Sequence, residues 1–207
     1  ESEIMKSKSK GIRIVWFQRV SYTFGKTTMR LLISIYKTWR RNPFRTLIVD
    51  DYRKWSGLAL QVASWHIAKR INTDKPHVAI LLPTSGMFPA TATAIWSQGK
   101  TVVPLNYLLT KDDIDYIIKD SGVDTVVTVN AMVEMIGGLP EGVNAIKLDE
   151  MSFGGVPPIR RSVKSDDEML AALLYTSGTS GKPKGVMLTA GNISSNVEQC
   201  KKWVRFT

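Results

Sequence analysis

Tyr175-Thr176-Ser177-Gly178-Thr179-Ser180-Gly181-Lys182-Pro183-Lys184-Gly185 is the stretch around which the rest of the chain is organised. Met169–Tyr175 is apolar and runs straight into it, and Gly185–Leu188 reads as a return strand, so two extended segments bracket a polar turn. Gly178 and Gly181 permit backbone angles closed to other residues, which lets successive N–H groups converge on one anion. The hydroxyls of Thr176, Ser177, Thr179 and Ser180 add short donors that follow phosphate oxygens or help to hold a metal. Lys182 and Lys184 bring positive charge, and Pro183 fixes the backbone between them. A loop of this make-up suits a polyphosphate, whose charge it stabilises as pyrophosphate departs. The competing reading is a plain Gly/Ser/Thr turn flanked by surface lysines, and composition alone does not separate the two.

Upstream, short apolar runs alternate with helical patterns. Thr46–Val49 reads as a strand, Asp50–Lys54 as a turn, and Trp55–Ile71 as a helix. Val78–Leu82, Thr101–Val103 and Thr125–Val129 read as strands, with helices over Pro89–Gln98 and Lys111–Ser121 between them. Asn144–Leu148 is a further strand candidate. Strands alternating with helices of this length predict an α/β fold, a parallel sheet flanked by helices. Before it, a helical pattern covers Lys26–Arg41, with Met29, Leu32, Ile33, Tyr36 and Trp39 near one face, and Asn42-Pro43 ends it. Residues 149–168 read as a connection. Thr189 or Asn192 is placed to cap a final helix. The expected organisation is a basic leader over 1–25 with its first eleven residues disordered, a first α/β subdomain over 26–165, and the start of a second over 166–207.

The chain has 207 residues, 43% of them apolar, enough for a sizeable core. Its net charge of +10 is lopsided. Residues 1–46 hold eleven Lys/Arg against two Asp/Glu, and residues 47–207 hold seventeen against sixteen, so the basic character belongs to the leader. Arg and Lys interleaved with Trp16, Phe17, Phe24, Tyr36 and Trp39 make residues 12–41 a candidate for peripheral contact with an anionic membrane rather than for reading bases. The alternative is a helix packed on the domain with its charges in solvent. No apolar run reaches the roughly 18–20 residues of a membrane span. A single Cys, Cys200, excludes an intrachain disulfide and fits a reducing compartment, and the expected location is cytoplasmic. His66 and His77 lack a second ligand at metal spacing and are expected to be structural. Gly25-Lys26-Thr27-Thr28 is similar to the end of a Walker A loop, but the first glycine of that pattern would fall at Val20.

The string at 175–185 closely resembles the phosphate-loop motif of the adenylate-forming superfamily, the acyl-CoA and acyl-carrier-protein synthetases, peptide-synthetase adenylation domains and luciferases. Every fixed position of Tyr-Thr-Ser-Gly-Thr-Thr/Ser-Gly-x-Pro-Lys-Gly is met. Val78-Ala79-Ile80-Leu81-Leu82-Pro83 resembles a strand of the same family. So do Gly99 followed by Val102-Val103-Pro104-Leu105-Asn106-Tyr107, and the acidic helix ending Asp120-Ser121-Gly122. The resemblance covers roughly residues 28–207, the first part of the family's large N-terminal domain. Two departures stand out: Lys100-Thr101 where the family has small apolar residues, and Thr189-Ala190-Gly191-Asn192 where it often has Ser-His-x-Asn.

This resemblance implies a parent enzyme that joins a carboxylic acid to ATP, with Mg2+, to give an acyl-adenylate and pyrophosphate. The acyl group then passes to a thiol of coenzyme A or of a phosphopantetheine carrier protein. A fatty acid is the expected substrate, from Pro104–Leu109 and the aromatic leader. It implies phosphate contacts from Thr176, Ser177, Gly178, Thr179, Ser180, Gly181 and Lys184, with Thr176 also a candidate for the metal. The family's Tyr-Gly-x-Thr-Glu segment, ribose-binding Asp and C-terminal catalytic Lys are not found in residues 1–207, so no catalytic residue is expected here and the isolated fragment is expected to be inactive. A non-catalytic nucleotide-binding fragment or degenerate synthetase domain is the alternative.

Overall fold

The computed structural model describes residues 29–155, 157, 165–176 and 182–203. Helix α1 (Arg30–Arg41) buries Leu32, Tyr36 and Trp39 and turns Arg30, Lys37 and Arg41 to solvent. Spacing of three, four and three residues keeps Met29 and those three side chains on one stripe. The apolar face of the leader helix is therefore spent on the core. Its predicted start at Lys26 lies outside the described residues, as do the leader and the Gly25–Thr28 string.

Strands β1 (Thr46–Val49) and β2 (Lys54–Ser56) pair antiparallel. Helix α2 (Gly57–Arg70) follows at once, its N-cap Ser56 accepting from Ala59 N at 3.2 Å. Then come β3 (His77–Leu81), α3 (Met87–Ser97), β4 (Thr101–Pro104), α4 (Lys111–Ser121), β5 (Thr125–Thr128), α5 (Asn130–Met135) and β6 (Asn144–Lys147). A 3-10 turn over Leu148–Glu150 precedes β7 (Leu170–Thr176), β8 (Lys184–Thr189) and α6 (Ala190–Trp203).

Among the described residues the main sheet has the order β6-β5-β3-β4-β7-β8. Every neighbouring pair is parallel except β7 with β8. The α/β expectation is met, a mainly parallel sheet with helices on both faces.

Alternation along the strands sends side chains to two cores. Val78, Ile80, Val102 and Val127 pack with α1, α2 and α3, while Ala79, Leu81, Val103 and Val126 pack with α4 and α5. Burial on both faces is why these strands read as continuous apolar runs. Each fully buried Ile or Leu contributes about 1.5–3 kcal/mol relative to exposure. Helix α4 is bounded by local chemistry at both ends. Thr110 Oγ1 accepts from Asp113 N at 3.2 Å and donates to Asp113 Oδ2 at 2.8 Å. Gly122, at φ 66°, closes the other end in a left-handed conformation that suits glycine.

Both histidines serve packing. The ring nitrogens His66 Nε2 and His77 Nδ1 lie 3.0 and 2.6 Å from the carbonyl oxygens of Gly155 and Ser121. Cys200 is an exposed thiol on α6. No described helix is long and apolar enough to cross a membrane.

Candidate phosphate-binding site

Strand β7 ends where the polar loop begins, and it lies parallel to β4, so the loop leaves the sheet at the carboxyl ends of the parallel strands. That is the edge at which open α/β sheets bind ligands. Backbone pairing between β7 and β4 is registered only at Val102–Ala172, and side chains add to it. Thr101 Oγ1 donates to Leu170 O at 2.8 Å, and Trp96 Nε1 donates to Ala171 O at 2.8 Å. Lys100 Nζ donates to Thr73 O and Lys75 O, 2.7 Å each, pinning the turn before β3. Lys100 and Thr101, the departures from the family pattern, thus have structural work of their own.

On its other edge β7 pairs with β8 from Leu170–Thr189 to Thr176–Lys184. The two predicted site residues that are described, Thr176 and Lys184, are therefore cross-strand partners at the mouth of the loop. Ser177, Gly178, Thr179, Ser180 and Gly181 lie outside the described residues. Lys184 is exposed and, among the described residues, makes no ion pair. Beyond β8, Thr189 and Asn192 do not compete for the cap of α6. They share it, Asn192 N donating to Thr189 Oγ1 at 3.2 Å and Thr189 N to Asn192 Oδ1 at 3.0 Å.

One pair of supports has no local sequence signal. The Tyr175 phenol donates to Asp120 Oδ2 at 2.6 Å across 55 residues of sequence. Partial burial, and then the Asp120 carboxylate, push the Tyr175 phenol above its ordinary pKa, which keeps it a donor. The Lys182 ammonium stands 5.5 Å from the centroid of the Tyr116 ring, within cation–π range. Tyr116 and Asp120 are one turn apart on α4, on the face beside the loop. Among the described residues no three His, Cys, Asp or Glu gather as a metal cluster. A metal here would rest on hydroxyls and on the oxygens of its own ligand, the habit of Mg2+ beside phosphates.

Residues 35–207 match the family model described as AMP-binding enzyme. Feruloyl-CoA synthase of Amycolatopsis sp is 33% identical over 120 residues, covering 58% of this chain and 24% of that protein. Nonribosomal peptide synthetase sidC of Aspergillus fumigatus is 33% identical over 114 residues, 53% of this chain and 2% of that protein. The structure of o-succinylbenzoate CoA synthetase from Bacillus subtilis, in complex with its acyl-adenylate intermediate, superposes with a TM-score of 0.68 at 24% identity. That alignment covers 87% of this chain and 47% of the other. The chain thus spans less than half the length of each of these proteins.

Proposed function

The chain belongs to the AMP-binding enzyme family, and from that premise we propose that the protein containing it activates a carboxylic acid with ATP. A carboxylate oxygen attacks the α-phosphorus in line, and the bond to the bridging oxygen breaks. Acyl-adenylate and pyrophosphate are the products. The acyl group then moves to a thiol, on coenzyme A or on a carrier protein. The names of the relatives support both acceptors, one being a CoA synthase and the other a nonribosomal peptide synthetase. The observation that carries the proposal is the β7–β8 hairpin, which sets Thr176 and Lys184 opposite each other at the mouth of the Gly/Ser/Thr loop.

The roles follow from chemistry. Lys184 supplies an ammonium to the departing pyrophosphate, and the hydroxyls of Thr176, Ser177, Thr179 and Ser180, with the amides around Gly178 and Gly181, follow its oxygens. Mg2+, when bound, neutralises charge on the phosphate oxygens, and the Thr176 hydroxyl is the residue we assign to it. Pro183 and Gly185 shape the hairpin. A Cβ at Gly185 would meet Leu173 Cδ1 at 3.0 Å and Tyr175 Cζ at 3.3 Å, so glycine leaves the phenol ring its place without displacing either side chain. For the acid we favour an apolar acyl chain such as a fatty acid. Its support is the segment after β4, where Leu108 is exposed while Leu105 is buried. We place the protein in the cytoplasm. Membrane contact through residues 12–41 is left to the parts of that leader outside α1, whose aromatic residues are buried.

The test is acid-dependent exchange of pyrophosphate into ATP by the full protein, with a panel of fatty, aromatic and amino acids. Thr176→Ala and Lys184→Ala should each lower exchange by roughly 100-fold, the usual cost of losing one aligned donor to developing charge. Thioester formation from preformed acyl-adenylate should change far less. Unchanged exchange in both variants removes the assigned roles. Residues 1–207 alone should show no exchange.

A further inference from the structure

Both flanks of the loop meet one face of α4. On the upstream flank, the Tyr175 phenol donates to Asp120 at 2.6 Å, while its ring packs against the core that holds Ile114, Ile117 and Ile118. Gly185 passes across that ring on the neighbouring strand. The phenol is thus held at its tip, its edge and its face. On the downstream flank Lys182 sits over Tyr116, whose own hydroxyl is 3.5 Å from the second Asp120 oxygen. Neither contact is needed to complete the β7–β8 ladder, which already closes at Thr176–Lys184. Helix α4 is itself fixed at both ends, by the Thr110–Asp113 cap and by Gly122, so it is a stiff reference for whatever it holds.

We propose that Asp120 is a positioning residue for the loop: through Tyr175 it fixes the end of β7 from which Thr176 projects, with Tyr116 holding the Lys182 side. This rests on the function proposed above, in which Thr176 and Lys184 handle pyrophosphate. The role assigned to Asp120 runs through Tyr175 and not through contact with ATP or acid. It acts by removing freedom from the strand end before ATP arrives, so its loss is felt as ATP binding rather than as chemistry on the acid.

In the full protein, Asp120→Ala and Tyr175→Phe should each raise KM for ATP about five- to tenfold, the scale of one charge-assisted hydrogen bond partly open to water. The KM for the acid should stay within twofold. Asp120→Asn keeps an acceptor oxygen and should recover most of the loss. The double variant Asp120→Ala/Tyr175→Phe should be no worse than the worse single, because both remove the same contact. Unchanged KM for ATP in Asp120→Ala, an equal rise in the KM for the acid, or multiplied effects in the double variant would overturn the proposal. A wild-type protein without any exchange would instead defeat the proposed function. Trypsin then still tests the latch, because it cuts after Lys184 but not at Lys182, which precedes Pro183. Cleavage after Lys184 should be faster in Asp120→Ala than in wild type, and equal rates would count against the latch.

Discussion

Among the described residues there are two antiparallel hairpins, and they are supported in different ways. The β1–β2 turn wraps around Asp50, whose carboxylate accepts from Tyr52 N at 3.0 Å, Arg53 N at 2.8 Å, Trp55 Nε1 at 2.6 Å and Gly86 N at 2.9 Å. Arg53 adds its guanidinium over the Trp55 ring at 3.4 Å. Both carboxylate oxygens are occupied, and the turn has little left to offer a ligand. The β7–β8 hairpin is tied at its root by Thr101 and Trp96 and near its mouth by Tyr175, while residues 177–181 include no carboxylate in sequence. A turn that saturates its own carboxylate locks the fold, and a loop whose sequence carries hydroxyls and lysines but no carboxylate has donors to offer a ligand.

Steric tests should separate the two most strongly. A Cβ at Gly86 would fall 2.5 Å from both Cδ1 and Nε1 of Trp55, a side chain that is 3% exposed and held by Asp50. Gly86→Ala should therefore cost about 2–3 kcal/mol, at the upper end for overpacking a well-ordered core. At Gly185 the nearest atom is a Leu173 methyl at 3.0 Å, the end of a flexible side chain. Gly185→Ala should cost under about 1 kcal/mol in urea denaturation, because that methyl can turn aside. Its larger effect should be on KM for ATP, through the Tyr175 ring. Equal stability losses at the two glycines would break the contrast between a locking turn and a working one.

The same contrast governs what could be read in the sequence. Strand β1 and helix α4 were legible to the residue, since Thr110, Asp113 and Gly122 mark the helix by contacts within three or four positions. Strand β2 was not. Lys54-Trp55-Ser56 is too short for its alternation to be told from a turn, and it is a strand because β1 lies beside it. The expected helix start at Trp55 moves to Gly57 for the same reason, with Ser56 as cap. Helix α3 begins at Met87, two residues before Pro89, because a proline in the first turn gives up an N–H that has no partner there. Helix α5 was missed as six residues running into Gly137-Gly138. At the candidate site, Thr176 and Lys184 are proposed from an unbroken motif, while Asp120 stands 55 residues from the phenol it accepts from. Contacts made by folding leave no spacing to read.

Titration offers the next test. The four donors hold the Asp50 carboxyl at about 2, below its ordinary 3.8, the Gly86 amide being the largest cause. A group depressed in the folded state stabilises fully above its unfolded pKa, and that contribution is lost as pH falls from about 4 toward 2. Wild-type urea midpoints should decline over that range. Asp50→Asn should lose stability near neutrality and show a shallower decline, since its amide does not titrate. A full acid slope in Asp50→Asn would show that the hairpin is locked by something other than this carboxylate.

The smallest effects concern the root of β7, and they decide how independent the working hairpin is. Thr101 is 5% exposed and its hydroxyl donates to Leu170 O, so Thr101→Val keeps the shape and removes one buried hydrogen bond. The expected cost is about 1 kcal/mol. Trp96→Phe removes the donor to Ala171 O together with part of the indole, and should cost slightly more, about 1–2 kcal/mol. Because the β4–β7 register is marked by a single backbone pair, these two donors hold neighbouring carbonyls of the same strand, and their loss should not be additive. A strand already loosened at Leu170 has less to lose at Ala171. Strict additivity in the double variant, measured by urea denaturation, would mean that Thr101 of β4 and Trp96 of α3 hold β7 independently rather than as one unit.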